Sequence, residues 1–171
     1  MHQTQTSPEY PLSEAYRNSV RTLTPEFGQS LKYREFDFAA IIQRDKYERL
    51  EELAGPMREV LLEFGFNVFD SSLDVIIQRQ YGVPRTNCLD CLDRTNVVQT
   101  LFAKLHLQNL LNQLGINLAG FDRDNLENSF NNLWADNGDW LSKIYAGTGA
   151  LKSSYTRNGK LTMFGKYSNS F

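Results

Sequence analysis

The sequence is poor in cysteine and histidine and has no long apolar stretch. Its 171 residues include two cysteines, at positions 88 and 91, and two histidines. No run approaches the roughly 20 apolar residues that a membrane-spanning helix needs, and the polar start of the chain has no apolar signal core. Two cysteines this close together exclude a disulfide framework. These absences predict a cytoplasmic protein with no transmembrane segment.

The net charge is small, but the charges are unevenly distributed. A net charge of −2 excludes a generally basic protein that coats nucleic acid, so we expect no nucleic-acid partner. Residues 1–139 hold 13 basic and 20 acidic side chains, whereas residues 140–171 hold five basic side chains and no acidic one. This segment is either a solvated tail or a surface for an anionic substrate or membrane. The candidate substrate or membrane contacts in it are Lys143, Lys152, Arg157 and Lys160.

The first third of the chain predicts two helices. Residues 1–29 read as an irregular lead-in with a helix at about 13–23, because prolines on both sides obstruct regular structure. From position 44 to 64 the apolar residues recur every three or four positions, which is typical of an amphipathic helix. Gly55 and Pro56 should kink or break that helix.

The second half of the chain predicts two longer helices. Apolar residues line one broad face from Val97 to Leu114, and Thr95 or Asn96 can cap the start of this helix. Another helix is expected over 126–145, ending at Gly147. The tail from position 153 onward, rich in Ser, Asn and Gly, is expected to be loop.

Three short segments read as strands. Apolar and polar residues alternate over 33–38, and residues 66–69 and 73–81 flank a turn-forming Asp70-Ser71-Ser72 sequence. The alternation of strands and helices predicts a single α/β domain.

The stretch from Cys88 to Thr95 carries the chemistry. A cysteine, five residues, an arginine and a hydroxyl residue at a helix start are what phosphate cleavage through a thiolate requires. The loop amides can form an anion nest on the positive end of the helix, and that dipole together with Arg94 favours the thiolate of Cys88. Arg94 can hold two phosphate oxygens with its planar fork. The predicted phosphate-binding residues are Leu89, Asp90, Cys91, Leu92, Asp93 and Arg94.

In this hypothesis Cys88 attacks phosphorus, a phosphocysteine forms, and water then releases phosphate. Thr95 donates to the thiolate or helps the sulfur leave. The chemistry needs no metal and no cofactor. Three other interpretations of Cys88 and Cys91 remain: two ligands of a zinc site, a thioredoxin-like redox pair, or two buried small hydrophobic residues. Cys91 is also either a packed residue or a resolving thiol for an oxidised Cys88.

Two carboxylates inside a loop that binds an anion pose a physical problem. Each of Asp90 and Asp93 must either point away from the phosphate and accept hydrogen bonds, or be protonated. A protonated Asp90 beside the leaving oxygen would be a general acid, and we assign it that role, with Asp93 structural. Asp136 is an alternative acid from a separate segment. Trp134 and Trp140 are expected in the core, His106 as a packed or surface residue, and Asn87 and Asn96 as braces of the loop.

The sequence resembles the Sac domain phosphoinositide phosphatases, the family that includes the synaptojanins. The resemblance rests on RTNCLDCLDRTN at 85–96, FDF at 36–38, LWADNGD at 133–139, YAGTGALK at 145–152 and TRNGK at 156–160, and it covers about residues 30–168. The chain departs from the family at Ala39, where His is usual, and at Leu161, where Arg is usual. A whole Sac domain is longer, so the chain resembles its C-terminal, catalysis-bearing part.

The resemblance implies a cysteine-phosphatase-like fold with a mixed sheet flanked by helices. It also implies removal of a monoester phosphate, at the 4 or 3 position, from phosphatidylinositol phosphates on cytosolic membrane faces. Cys88, Arg94, Thr95 and Asp90 are the expected catalytic residues. Two other functions stay open: a phosphatase of proteins or soluble inositol phosphates, and a non-catalytic phosphoinositide-binding or scaffold module.

Overall fold

Six α-helices and one β-hairpin make up the part of the chain that a computed structural model describes, residues 7–42, 47–151 and 153–157. Short 3₁₀ turns cover Gly28–Ser30 and Tyr47–Leu50. The elements in chain order are α1 (Tyr10–Phe27), α2 (Phe38–Ile41), α3 (Glu51–Phe64), β1 (Val68–Asp70), β2 (Val75–Gln78), α4 (Asp93–Gln113), α5 (Gly120–Ala146) and α6 (Ser153–Arg157).

Helix α1 is longer than predicted, and the expectation that the flanking prolines exclude helix is wrong. Pro11 lies in the first turn, where the missing N–H leaves no hydrogen bond unmade. Pro25 lies in the last turn of the helix, close to its end at Phe27. The Arg17 guanidinium holds α1 against the following segment by a two-bond contact with Glu35, whose Nη2–Oε2 distance is 2.9 Å.

The strand predicted over 33–38 is wrong. Residues 31–37 run without helix or strand pairing, and α2 begins at Phe38. The Asp37 carboxylate caps α2 by accepting a 3.0 Å hydrogen bond from the Ala40 N–H. Phe38 packs into the core, but no strand pairs with residues 33–38 in the described part of the chain. The alternation of apolar and polar residues therefore reflects one buried end of the segment and not a strand.

The hydrophobic core lies between α3 and α4. Of the predicted kink or break at Gly55 and Pro56, the break is wrong, because Pro56 lies inside α3 and the helix runs through it without the N–H that a proline lacks. Positions 44–46 of the predicted helix lie outside the described residues. The buried core residues are Phe38, Leu50, Leu53, Ala54, Leu61, Val97, Leu101, Phe102 and Leu105. This packing fixes α4, whose first turn follows the Cys88 loop.

The predicted hairpin is confirmed, although its strands are shorter than expected. β1 and β2 pair antiparallel, and the Asp70 carboxylate closes the turn by accepting from the Ser72 N–H at 2.8 Å and its hydroxyl at 2.6 Å. The fold is mixed α/β in the broad sense, but a mixed sheet flanked by helices is not what forms: the sheet of the described residues is two-stranded and antiparallel. The strand candidate at residues 33–38 pairs with no strand in the described part of the chain.

Helices α4 and α5 both begin earlier than predicted. α4 starts at Asp93 with Leu92 as N-cap, so neither Thr95 nor Asn96 caps it. α5 ends where expected, at Gly147, which adopts a left-handed conformation (φ 74°) that favours glycine. Part of the predicted tail loop is helix α6, and residues 158–171 lie outside the described part. None of the described helices combines the length and apolar character needed to cross a bilayer.

Candidate active site

The Cys88 thiol is buried at the start of α4 and has three polar neighbours. Its Sγ lies 3.2 Å from Thr95 Oγ1 and accepts a 3.1 Å hydrogen bond from the Cys91 N–H. It also lies 3.4 Å from Asp90 Oδ1, to which the thiol donates. The predicted cysteine, its hydroxyl partner and the loop carboxylate are therefore brought together around one sulfur atom.

Cys91 shapes the loop through an unusual backbone conformation. Its φ of 55° is in the left-handed region, which non-glycine residues rarely adopt. The Cys91 Sγ accepts from the Cys88 N–H at 3.3 Å and donates to the Cys88 carbonyl at 3.2 Å, so it closes the loop on itself. The expectation of a packed Cys91 is wrong, because the residue is exposed. The turn is held by polar contacts to Cys88 rather than by burial.

The protonation state of Cys88 differs from the simple expectation. Burial raises the pKa of the thiol, and the hydrogen bond to Asp90 raises it as well; together they outweigh Thr95, the Cys91 N–H and the charge of Arg94, all of which lower it. The predicted influence of Arg94 thus has the expected sign but does not decide the outcome. In this conformation most Cys88 is thiol at neutral pH.

Asp90 is ionised in this loop. Burial raises the pKa of its carboxyl, but the Leu92 N–H, the Cys88 thiol and Arg94 together lower it below its ordinary value. The Leu92 N–H donates to Asp90 Oδ1 at 3.2 Å. Asp90 is exposed, and its carboxylate accepts hydrogen bonds instead of carrying a proton. A resident proton on Asp90 is disfavoured.

The remaining loop residues are less well placed to bind phosphate. Leu89 is exposed, and the Leu92 N–H is occupied by Asp90. Asp93 is the first residue of α4, and its Oδ1 is buried without a hydrogen-bond partner among the described residues. The loop that we expected to form an open ring of amides instead directs the Cys91 N–H at the sulfur and the Leu92 N–H at a carboxylate.

Arg94 is held by a residue that the sequence did not single out. Its Nη1 donates to Glu9 Oε1 at 2.8 Å, and the two side chains are 22% and 9% exposed. Burial lowers the pKa of the guanidinium, but the bond to Glu9 and the neighbouring acidic groups raise it by more, so it stays charged. Glu9 and Arg94 are 85 positions apart, and no local spacing could have paired them.

A cavity of about 830 Å³ opens beside the loop. Cys88, Arg94 and Thr95 line one end, together with Asn87. The wall also includes residues of α1, of the 30–36 segment, of α3 and of the 83–86 segment. A volume of this size accommodates a small organic ligand. Asn87, which we expected to brace the loop backbone, lines the cavity.

Asn96 connects the start of α4 to α5. Its Nδ2 donates to the Trp134 carbonyl at 3.0 Å, and its Oδ1 accepts from Asn137 Nδ2 at 2.9 Å. A Cβ on Gly138 would lie 2.8 Å from Asn96 Nδ2, so this position needs glycine for the close approach. Asn96 thus braces α4 against the LWADNGD segment rather than the loop backbone. In the sequence, only the family resemblance marks this segment.

The other candidates in the second half of the chain have separate roles. Arg157 donates to Asp136 Oδ1 at 2.8 Å and lies 3.5 Å from Asp139 Oδ2. These contacts join α6 to α5 and engage the Asp136 carboxylate. The exposed Lys143 lies over the Trp140 ring at 5.6 Å. Trp140 is 66% exposed, so its expected place in the core is wrong.

Three further expectations concern Lys152, Lys160 and His106. Lys152 and Lys160 lie outside the described residues. His106 Nε2 lies 2.9 Å from the Gly65 carbonyl, and its ring packs edge-on against Phe66, as a packed histidine should. Among the described residues no three His, Cys, Asp or Glu side chains cluster as a metal site would require.

Curated relatives match nearly the whole chain. A phosphatidylinositol-3-phosphatase SAC1-B of Danio rerio is 41% identical over 160 residues, which are 92% of this chain and 27% of that protein. A phosphatidylinositol-3-phosphatase SAC1 of Saccharomyces cerevisiae is 37% identical over 169 residues, 94% of this chain and 27% of the relative. The polyphosphatidylinositol phosphatase INP53 of the same yeast is 34% identical over 166 residues, 95% of this chain and 15% of the relative.

This chain thus spans about a quarter of the length of the SAC1 relatives that it matches. No protein-family model matches the chain. No solved structure matches it.

Proposed function

This chain belongs to the Sac domain family, and on that premise we propose that it is the catalytic part of a phosphoinositide phosphatase. Its substrate is a phosphatidylinositol phosphate, from which it removes a monoester phosphate at the 4 or 3 position of the ring. One observation carries the proposal: the Cys88 sulfur lies within 3.2 Å of Thr95 Oγ1 at the start of α4, beside a cavity that Arg94 also lines. A buried thiol with a hydroxyl partner and an adjacent arginine is suited to phosphoryl transfer.

The reaction proceeds through a phosphocysteine. The Asp90 carboxylate, which already accepts the thiol's hydrogen bond, takes the proton as the Cys88 sulfur attacks phosphorus. The S–P bond forms while the P–O bond to the inositol ring breaks, and Asp90 gives the proton to the leaving oxygen. Water then attacks phosphorus, Asp90 accepts its proton, the S–P bond breaks, and phosphate leaves. Asp90 returns the proton to the sulfur.

Each neighbour of the sulfur has a part in this sequence. Arg94 binds the phosphate oxygens and stabilises the charge of the transition state. Thr95 stabilises the thiolate as attacking and as leaving group. The ionised state of Asp90 suits the first proton transfer, and the bound phosphate raises the pKa of Asp90 by like-charge repulsion. The protein acts peripherally at the cytosolic face of a membrane.

The raised pKa of Cys88 favours a second candidate, a non-catalytic module that binds phosphoinositides. A binder needs the cation of Arg94 and the cavity, but it does not need a reactive sulfur. The loop's occupied amides also fit a protein that binds anions weakly.

Phosphate release from lipid vesicles separates the two functions. We expect the native chain to release phosphate from vesicles that contain phosphatidylinositol 4-phosphate or 3-phosphate, and the Cys88→Ser variant to release none. Phosphopeptide and soluble inositol phosphate serve as the comparison substrates. Equal background release by both chains, with retained vesicle binding, would favour the binder.

A further inference from the structure

The Glu9–Arg94 contact joins the start of the first helix to the catalytic loop. Glu9 Oε1 and Arg94 Nη1 are 2.8 Å apart, and the Glu9 side chain is 9% exposed. A charge-assisted hydrogen bond shielded in this way is stronger than a surface ion pair. The contact is also long-range in the chain, so it exists only when α1 lies against the catalytic loop.

The backbone of Glu9 is itself held in place. Its N–H donates to Ser7 Oγ at 3.2 Å, and its carbonyl accepts from the Ser13 N–H at 3.1 Å. The residue is the N-cap of α1, where the positive end of the helix favours a carboxylate. Glu9 therefore presents its carboxylate to Arg94 from a fixed position.

The Glu9 carboxylate binds Arg94 without being part of the cavity wall. Arg94, Cys88 and Thr95 line the cavity, whereas Glu9 does not. A guanidinium has five N–H donors in a rigid fork, and the bond to Glu9 uses one nitrogen. Nη2 and Nε make no hydrogen bond within the described part of the chain, so both can donate to a phosphate in the cavity that Arg94 lines. The Glu9 carboxylate does not occupy the phosphate site, because an anion that blocked this site would have to lie in the cavity itself.

We infer that Glu9 is a positioning residue for phosphate binding: it fixes the Arg94 guanidinium so that the free edge of the fork faces the Cys88 sulfur. This inference rests on the proposed function. Without the carboxylate the long arginine side chain regains its rotamers, and the bidentate geometry with phosphate is populated less often. The carboxylate itself touches neither substrate nor sulfur.

A double-mutant cycle tests the inference. We expect Glu9→Ala to lower kcat on phosphoinositide vesicles by about 10- to 100-fold, the range for a lost charge-assisted hydrogen bond, and Glu9→Gln to fall between it and the native chain. In an Arg94→Ala background Glu9→Ala should cause no further loss, because its effect passes through Arg94. Glu14→Gln, which breaks an ion pair with Arg17 on the same helix, is the control and should leave kcat unchanged.

Three outcomes would overturn the inference. A rise in kcat for the Glu9 variants would make Glu9 an inhibitory anion. Equal losses in the native and Arg94→Ala backgrounds would make its role purely structural. A loss of kcat in Glu9→Gln that is accompanied by a lowered melting temperature would likewise make the role of Glu9 purely structural.

A second readout does not depend on turnover. Inorganic phosphate should protect Cys88 from alkylation by iodoacetamide in the native chain, and this protection should be lost in Glu9→Ala. If the native chain releases no phosphate from vesicles but the protection depends on Glu9, the hydrolase proposal fails and the inference stands. If phosphate release is normal and independent of Glu9, the inference alone is overturned.

Discussion

Replacing Thr95 by valine should make Cys88 less reactive while leaving the fold intact. Valine keeps the shape of the side chain but removes the hydroxyl that lies 3.2 Å from the sulfur. That hydroxyl lowers the pKa of a thiol that burial raises, so its removal raises the pKa further. A hydrogen bond of this kind contributes about 0.5–1.5 kcal/mol, which corresponds to about a 2- to 10-fold lower thiolate population at neutral pH.

Alkylation by iodoacetamide measures this population directly. Mass spectrometry of the modified peptides separates Cys88 from the exposed Cys91. Because the pKa of Cys88 is raised from its ordinary value of 9.0, its alkylation rate should still be increasing as the pH rises through 9. Thr100→Val is the matched control, since the Thr100 hydroxyl bonds the Asn96 carbonyl at 2.6 Å on the same helix. An unchanged rate in Thr95→Val, or the same decrease in both variants, would refute the reasoning.

Two further predictions concern stability. Gly138→Ala should lower the free energy of unfolding in urea by about 1–3 kcal/mol, because the new Cβ would lie 2.8 Å from Asn96 Nδ2. Gly55→Ala, whose new Cβ would meet no atom within 4 Å apart from its chain neighbours and its own helix backbone, should destabilise less, and equal effects would contradict the packing argument. Burial lowers the pKa of Lys104 to about 8, although the Glu127 carboxylate lies 3.6 Å away. The unfolded chain therefore holds this proton more tightly than the folded chain does. The free energy of unfolding should rise as the pH increases from about 8 to 10.5. The rise should amount to about 3 kcal/mol and be absent in Lys104→Met, and parallel pH profiles of the two chains would show that Lys104 is not the cause.

The sequence predicted those parts of the fold that depend on neighbouring residues. The helix after Cys88, the stop at Gly147 and the hairpin around Asp70 each follow from local spacing or from one turn-forming residue. The same local arguments failed at Pro11, Pro25 and Pro56. A proline costs little in a first turn, as at Pro11; Pro25 lies in the last turn of α1; and the cost of Pro56 is offset by the packing of α3 into the core.

The candidate site was predicted only as far as the loop itself extends. Cys88 and Thr95 were placed together correctly because seven positions separate them across one loop and one helical turn. The Glu9 contact could not be predicted, since it depends on how α1 docks against α4. The protonation states were also out of reach, because the burial that raises the pKa of Cys88 is a property of the folded chain.

The central claim is that the Cys88 sulfur takes the phosphoryl group from a phosphoinositide. The most direct measurement is a rapid acid quench of the native chain during turnover on phosphoinositide vesicles, followed by mass spectrometry of the peptide that contains Cys88. We predict that this peptide carries one phosphate, bound to the Cys88 sulfur, and that Cys88→Ser neither releases phosphate nor yields a modified peptide. Phosphate release at the native rate by Cys88→Ser, or a phosphate trapped on any other residue, would contradict the account.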